Sequence, residues 1–190
     1  MTLKNKKYLL EISRRAIEKY LTENAILVID DDGLDKELVE KKATFVTLTI
    51  NNELRGCMGE MKATKPLYQS VIDNSLASAF LDPRFNPLTL EELNKIKIEI
   101  SILSPLKLID LNQFKDINDF VKYLEKRKPG IFLKKDKYQA TFLPQVWEEL
   151  KNPSEFLTHL CYKAGLKPDE WLNFKNLEIQ EYEVDKFKEA

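Results

Sequence analysis

Apolar positions in this chain switch between two spacings, and the switches mark out its elements. Leu9, Ile12, Ala16, Ile17 and Tyr20 recur every three or four residues and predict an amphipathic first helix. Asp30-Asp31-Asp32-Gly33 reads as a loop. Residues 44–50 and 54–58 are β-rich runs joined by Asn51-Asn52-Glu53, a hairpin signal, with Val46, Leu48 and Ile50 on one face and Phe45, Thr47 and Thr49 on the other. Pro66 is suited to the first turn of a helix reaching about Phe80, with Leu67, Val71, Leu76, Ala79 and Phe80 as its apolar stripe.

Asp82-Pro83-Arg84-Phe85 stops that helix, and Thr89 with Glu92 reads as the capping box of a short one. Ile96, Ile98, Ile100 and Ile102 alternate with Lys97, Glu99 and Ser101, the clearest half-buried strand in the chain. Residues 117–124 read as helix. Residues 130–133 and 138–142 form a second hairpin around Lys135-Asp136-Lys137. Asn152-Pro153 opens a helix through Ala164 that ends at Gly165, Pro168 starts a turn carrying Trp171, and residues 177–184 read as a final strand. Hairpins dominate and no strict βαβ rhythm appears. The expected fold is therefore α+β, a mixed and mainly antiparallel sheet flanked by helices.

The chain of 190 residues shows no repeat, low-complexity tract or Gly/Ser linker, so one domain over residues 1–190 is expected, any subdivision being topological. Lys and Arg number 30 against 31 Asp and Glu, and this balance argues against nucleic acid as a partner. Residues 1–7 are polar and basic without the apolar core of a signal peptide, and nothing approaches the length of a membrane span. Two cysteines make no disulfide framework, and the cytoplasm is the expected compartment.

Candidate chemistry concentrates in Leu54-Arg55-Gly56-Cys57-Met58-Gly59, which holds two of only five glycines. In an extended strand Arg55 and Cys57 would project from one side, and a permanent cation beside a thiol favours the thiolate. The glycines weaken a strand and mark a bulge or a close approach to the backbone. Two readings stay open: a reactive or ligand-binding thiol tuned by Arg55, or a small packed cysteine with Arg55 paired to a carboxylate.

His159 is the only histidine, so neutral-pH imidazole chemistry falls on it alone. On its helix it lies roughly 130° from the centre of the stripe of Phe156, Leu157, Leu160, Cys161 and Ala164, which turns it toward solvent or a cleft. Cys161 lies inside that stripe and reads as packing. One histidine and two distant cysteines build no closed zinc site, and Val28 stands where a calcium loop ending in Gly33 requires its first ligand. No phosphate loop, dinucleotide fingerprint or Gly-x-Ser-x-Gly elbow occurs, so no resident cofactor is expected. The seven basic residues between Lys122 and Lys137 read as a solvated hairpin rim, since they lack the interleaved aromatics of a single-strand binder.

Taken together, residues 45–60, Asp82-Pro83-Arg84-Phe85-Asn86-Pro87-Leu88-Thr89, residues 98–105 and residues 140–171 resemble blocks of the AMMECR domain family, also called AmmeMemoRadiSam system protein A. The resemblance covers most of the chain in the right order. Met58 stands where the family usually has isoleucine, a volume-conserving change. The chain is close to a bare domain, and a prokaryotic-type member is expected. The resemblance implies a two-part fold, with a larger part from the N- and C-terminal regions, a smaller middle part, and the six-residue motif near their junction. It implies partnership with a Memo-like protein and a radical S-adenosylmethionine enzyme, and it supplies no reaction.

Carried over by position, Arg55, Gly56, Cys57 and Gly59 are the first candidate site residues, then Arg84 and His159, then Glu148. Read as an enzyme component, Cys57, Arg55 and His159 would be catalytic, and Gly56, Gly59, Arg84 and Glu148 would contact substrate. Read as a non-catalytic adaptor, the chain would use the same strand to dock a protein or a small anionic ligand. RNA or nucleotide binding through residues 122–137 is a third reading.

Overall fold

The Thr2 hydroxyl accepts the backbone N–H of Asn5 and opens α1 (Leu3–Glu23), which closes at Asn24 in the left-handed region at φ 52°. The computed structural model describes residues 1–190, and these fall into two units, Met1–Ser104 with Asp185–Ala190, and Pro105–Val184. In the first unit α1 is followed by α2 (Lys36–Val39), β1 (Ala43–Ile50), β2 (Glu53–Gly59), α3 (Leu67–Phe80), α4 (Leu90–Leu93) and β3 (Ile96–Leu103). The second runs through β4 (Lys107–Leu108), α5 (Ile117–Arg127), β5 (Gly130–Lys135), β6 (Tyr138–Phe142), α6 (Val146–Glu149), α7 (Pro153–Ala164) and β7 (Glu178–Tyr182), after which comes β8 (Val184–Lys188).

There are two sheets, ordered β2-β1-β3-β8 and β4-β7-β5-β6. β1 pairs antiparallel with β2 and β3, β5 pairs antiparallel with β6 and β7, and β4 does so with β7. This is the mixed α+β architecture that the hairpin-rich pattern predicts. No helix is long and apolar enough to cross a membrane.

In the first unit, Val46 and Leu48 of β1 and Ile96, Ile98 and Ile100 of β3 bury one face of the sheet with Leu9, Ile12, Ala16 and Ile17 of α1 and Val71 and Ile72 of α3. The hairpin joining β1 to β2 is tighter than the three-residue link expected. Glu53 already pairs with Ile50, leaving Asn51 and Asn52 as a two-residue loop with φ of 53° and 66°. Both angles lie in the left-handed region, as a type I′ turn requires and as asparagine tolerates.

α3 departs from its expected pattern. Pro66 sits at the N-cap position, and Leu76 and Phe80 are only half-buried. The helix also buries Ser70, Asn74, Ser75 and Ser78. Ser75 meets Ser13 of α1 at 2.6 Å, and Asn74 donates to the Thr44 carbonyl at 3.1 Å and to the Thr44 hydroxyl at 2.9 Å. Buried polar groups persist where each has a partner, and here the partners come from α1 and β1.

The second unit packs Phe120 and Leu124 of α5, Ile131 and Leu133 of β5, Phe156, Leu157 and Leu160 of α7, and Ile179 of β7. Trp147 stacks on Phe156 with ring centroids 3.7 Å apart and donates its indole N–H to the Pro129 carbonyl at 2.8 Å. α7 begins at Asn152-Pro153 and ends at Gly165 with φ 82°, where the cap residues predict. Residues 177–184 are not one strand. Glu183 separates β7 from β8, and the two strands belong to different sheets. An apolar alternation reports which face of a segment is covered and carries no information on which strand pairs with its backbone.

Candidate functional site

β2 is an edge strand that lies unusually close to the last turn of α3. A Cβ on Gly56 would stand 2.1 Å from the Ser78 carbonyl oxygen, and one on Gly59 would stand 2.3 Å from the Phe45 ring and 2.5 Å from the Thr44 carbonyl. Only glycine fits at either point. The close approach that these two residues permit is to the protein's own helix and neighbouring strand.

That proximity puts the backbone of β2 within reach of α3 and the residues after it. Met58 N–H donates to Ser78 Oγ at 2.8 Å, and the same hydroxyl donates to the Val46 carbonyl at 2.7 Å. Cys57 N–H donates to Asp82 Oδ2 at 2.8 Å. Asp82 is buried and also holds Arg84 in a fork, Nε to Oδ1 at 2.9 Å and Nη2 to Oδ2 at 2.7 Å, while the Arg84 backbone N–H reaches Oδ1 at 3.1 Å. The Arg84 guanidinium, followed by the two backbone donors, holds the Asp82 carboxyl far below the usual carboxylate range, overriding the opposing effect of burial.

Arg55 does not stand beside the thiol as strict alternation predicts. Leu48 pairs with Gly56 and Thr49 with Leu54, so Arg55 is the extra residue of a β-bulge. The bulge re-aims its side chain. Nε and Nη2 form a fork onto Glu92 at 2.8 and 3.0 Å, and Nη2 also donates to the Asn86 carbonyl at 3.0 Å. Glu92 in turn accepts the Thr89 backbone N–H at 2.9 Å. Its carboxyl is held down to about 2, chiefly by Arg55 and further by the Thr89 N–H, against the effect of burial.

Cys57 is half-buried, and its sulfur lies 3.2 Å from the hydroxyl of Thr47, its partner across the β1–β2 pair. Arg84 reaches this residue through its backbone, Nη2 donating weakly to the Cys57 carbonyl at 3.4 Å. Phe85 stands between the two arginines, its ring centroid 5.8 Å from Arg55 Cζ and 5.6 Å from Arg84 Cζ. Arg55, Phe85, Asn86, Pro87, Thr89 and Glu92 line an open depression of about 410 Å³.

Arg55, Gly56, Cys57 and Gly59 therefore lie on β2, and Arg84 is tied to that strand through Asp82, all within the first unit. His159 on α7 and Glu148 on α6 belong to the second unit, and both are exposed. The His159 orientation follows from its place off the apolar stripe. Cys161 is fully buried, and burial pushes its thiol up to about 11, in keeping with a packing role. Ser78, Asp82 and Glu92 were not among the expected site residues. Their signal was present: Ser70, Asn74, Ser78 and Asp82 recur at four-residue spacing, and the Thr89–Glu92 capping box supplies the carboxylate that anchors Arg55.

Comparison with known proteins agrees with this arrangement of elements. The AMMECR1 family model matches residues 10–187. The chain is similar to Protein MJ0810 of Methanocaldococcus jannaschii, 36% identical over 196 residues covering 100% of this chain and 92% of that one. A Nanoarchaeum equitans protein is 40% identical over 187 residues, covering 95% and 98% of the two chains. Among solved structures, the crystal structure of the uncharacterized protein PH0010 from Pyrococcus horikoshii superposes with a TM-score of 0.84 at 34% identity, covering 96% of this chain and 90% of that one.

Proposed function

The chain belongs to the AMMECR1 family, and from the surface it builds around β2 we propose that it is a non-catalytic binding module that docks a partner protein. One observation carries this reading. Both cations of the motif region are already closed onto carboxylates, Arg55 on Glu92 and Arg84 on Asp82, so neither is a free charge for activating a thiolate or gripping a small anion. What the surface does offer is a recognition chemistry of arginine, aromatic and aliphatic groups. The Arg84 side chain is 55% exposed, Phe85 is half-exposed, and Leu54 and Leu81 are 44% and 69% exposed. Arginine and aromatic anchors of this kind are enriched where proteins meet.

The resemblance points to a Memo-like protein and a radical S-adenosylmethionine enzyme as the partners. Co-expression of this chain with those two proteins from the same genome tests the reading. Wild type and Cys57→Ala co-purify with a partner, and Arg84→Glu combined with Phe85→Ala does not. Loss of the complex in a folded Cys57→Ala variant, or no complex with wild type, refutes it.

A second reading keeps Cys57 as a reacting thiol. The observation in its favour is a free, half-exposed thiol on the strand edge, with Arg84 reaching the backbone carbonyl of the same residue. It requires that Cys57→Ala abolish function in vivo while the complex persists.

A further inference from the structure

Arg55 leaves one nitrogen unused. Nε and Nη2 are taken by Glu92 and Asn86, whereas Nη1 is sealed from solvent and is the chain's single buried side-chain nitrogen or oxygen without a hydrogen-bond partner. A desolvated guanidinium N–H with no acceptor is expensive, and a native structure that retains one needs a reason. The acceptor that is missing does not have to be charged, because Glu92 already balances Arg55.

The rest of the depression suits a peptide group. Phe85 and Pro87 offer flat apolar walls, and Asn86 and Thr89 offer polar groups beside them. Nη1 is sealed from solvent, so a neighbouring side chain must move before a ligand atom can reach it, and the Phe85 ring, its centroid 5.8 Å from Arg55 Cζ, is the lining group placed to do so. We infer that this depression is a carbonyl-accepting subsite, in which Arg55 Nη1 donates to a main-chain carbonyl oxygen of the docked partner and Phe85 is the movable cover. The inference rests on the binding-module reading and names the group which that surface recognises.

Because the natural peptide is unidentified, the test uses N-methylacetamide as a neutral amide, with acetate and inorganic phosphate as anionic comparators. The isotope-labelled full chain is titrated while the Arg55 Nε–H resonance is followed. N-methylacetamide shifts that signal saturably and with higher affinity than either anion. Phe85→Ala removes the cover and tightens amide binding by about threefold. Glu92→Gln keeps a residue able to complete the capping box, leaves amide binding within about twofold, and strengthens acetate binding by roughly tenfold as the competing charge disappears.

No saturable amide shift in either wild type or Phe85→Ala overturns the inference. So does tighter binding of acetate or phosphate than of the amide in wild type, which would make this an anion site. Arg55→Lys separates this inference from the docking reading, since lysine can still pair with Glu92 but lacks Nη1. Loss of amide binding together with a weakened partner complex supports the subsite. If both are retained, the subsite is refuted and docking stands. A wild-type chain that binds the amide but neither partner refutes docking alone.

Discussion

Asp82 accepts the backbone N–H of Cys57 at 2.8 Å while both of its oxygens hold the Arg84 guanidinium. The carboxylate after α3 thus fixes both the strand that carries the thiol and the arginine that reaches the Cys57 carbonyl. Removing the charge while keeping the shape, as in Asp82→Asn, should lower stability by about 2–3 kcal/mol, the range for charge-assisted hydrogen bonds in a buried setting. Urea unfolding checks this, and a loss below about 0.5 kcal/mol would show that the network is dispensable.

Gly56→Ala should be more damaging than its single methyl group suggests. The added carbon would meet the Ser78 carbonyl at 2.1 Å, and both atoms are held by backbone that cannot move independently. The expected loss is about 3 kcal/mol or more, whereas Gly33→Ala, strained only by its φ of 84° and facing open space, should cost about 1 kcal/mol. Equal losses at the two positions would refute the close-packing account of Gly56.

Acid should destabilise the first unit with a defined sign. The folded-state values of Asp82 and Glu92 are both depressed, Glu92 to about 2. Each carboxylate contributes its full stabilisation above its unfolded value, about 3.9 for Asp and 4.3 for Glu, and loses it as pH falls through the folded value. Denaturation midpoints measured from about pH 6 to pH 2 should therefore fall steeply below about pH 5, and less steeply in Glu92→Gln. An equal slope in the variant would show that the Arg55–Glu92 pair contributes nothing.

The two thiols should separate cleanly in a labelling experiment. Cys57 is half-buried at the strand edge, whereas Cys161 is fully buried, with its thiol pushed up to about 11. Iodoacetamide should add one label to the native chain, on Cys57, and a second only in denaturant, as peptide mass mapping would show. Native labelling of Cys161 would contradict the packing of α7.

Ser78→Ala leaves two backbone groups without their shared partner, the Met58 N–H and the Val46 carbonyl. A loss of about 1–3 kcal/mol is expected, together with faster hydrogen exchange at Met58 than at residues paired within β1 and β3. Unchanged exchange at Met58 would mean that β2 is held by the β1 ladder alone.

Much of this molecule was legible from local rules. Asn152, Pro153 and Gly165 bound α7, Asn51-Asn52 turns the first hairpin, and the isoleucines of β3 alternate into the core, because capping, turn geometry and side-chain periodicity act within a few residues. The same local signals mark Gly56 and Gly59 as points of close approach, where added Cβ atoms would meet Ser78 and Phe45. Three things depended on residues far apart in the chain. The bulge that sends Arg55 to Glu92 arises from the register between β1 and β2. The buried Ser70, Asn74 and Ser78 look polar and exposed until β1 and β2 supply their hydrogen bonds. The division of residues 178–188 between two sheets depends on which strands lie beside them. A hydrophobic pattern records which face of a segment is dry, whereas hydrogen-bond partners and close approaches exist only once distant segments have met, and at β2 those decided what the motif's arginine and thiol touch.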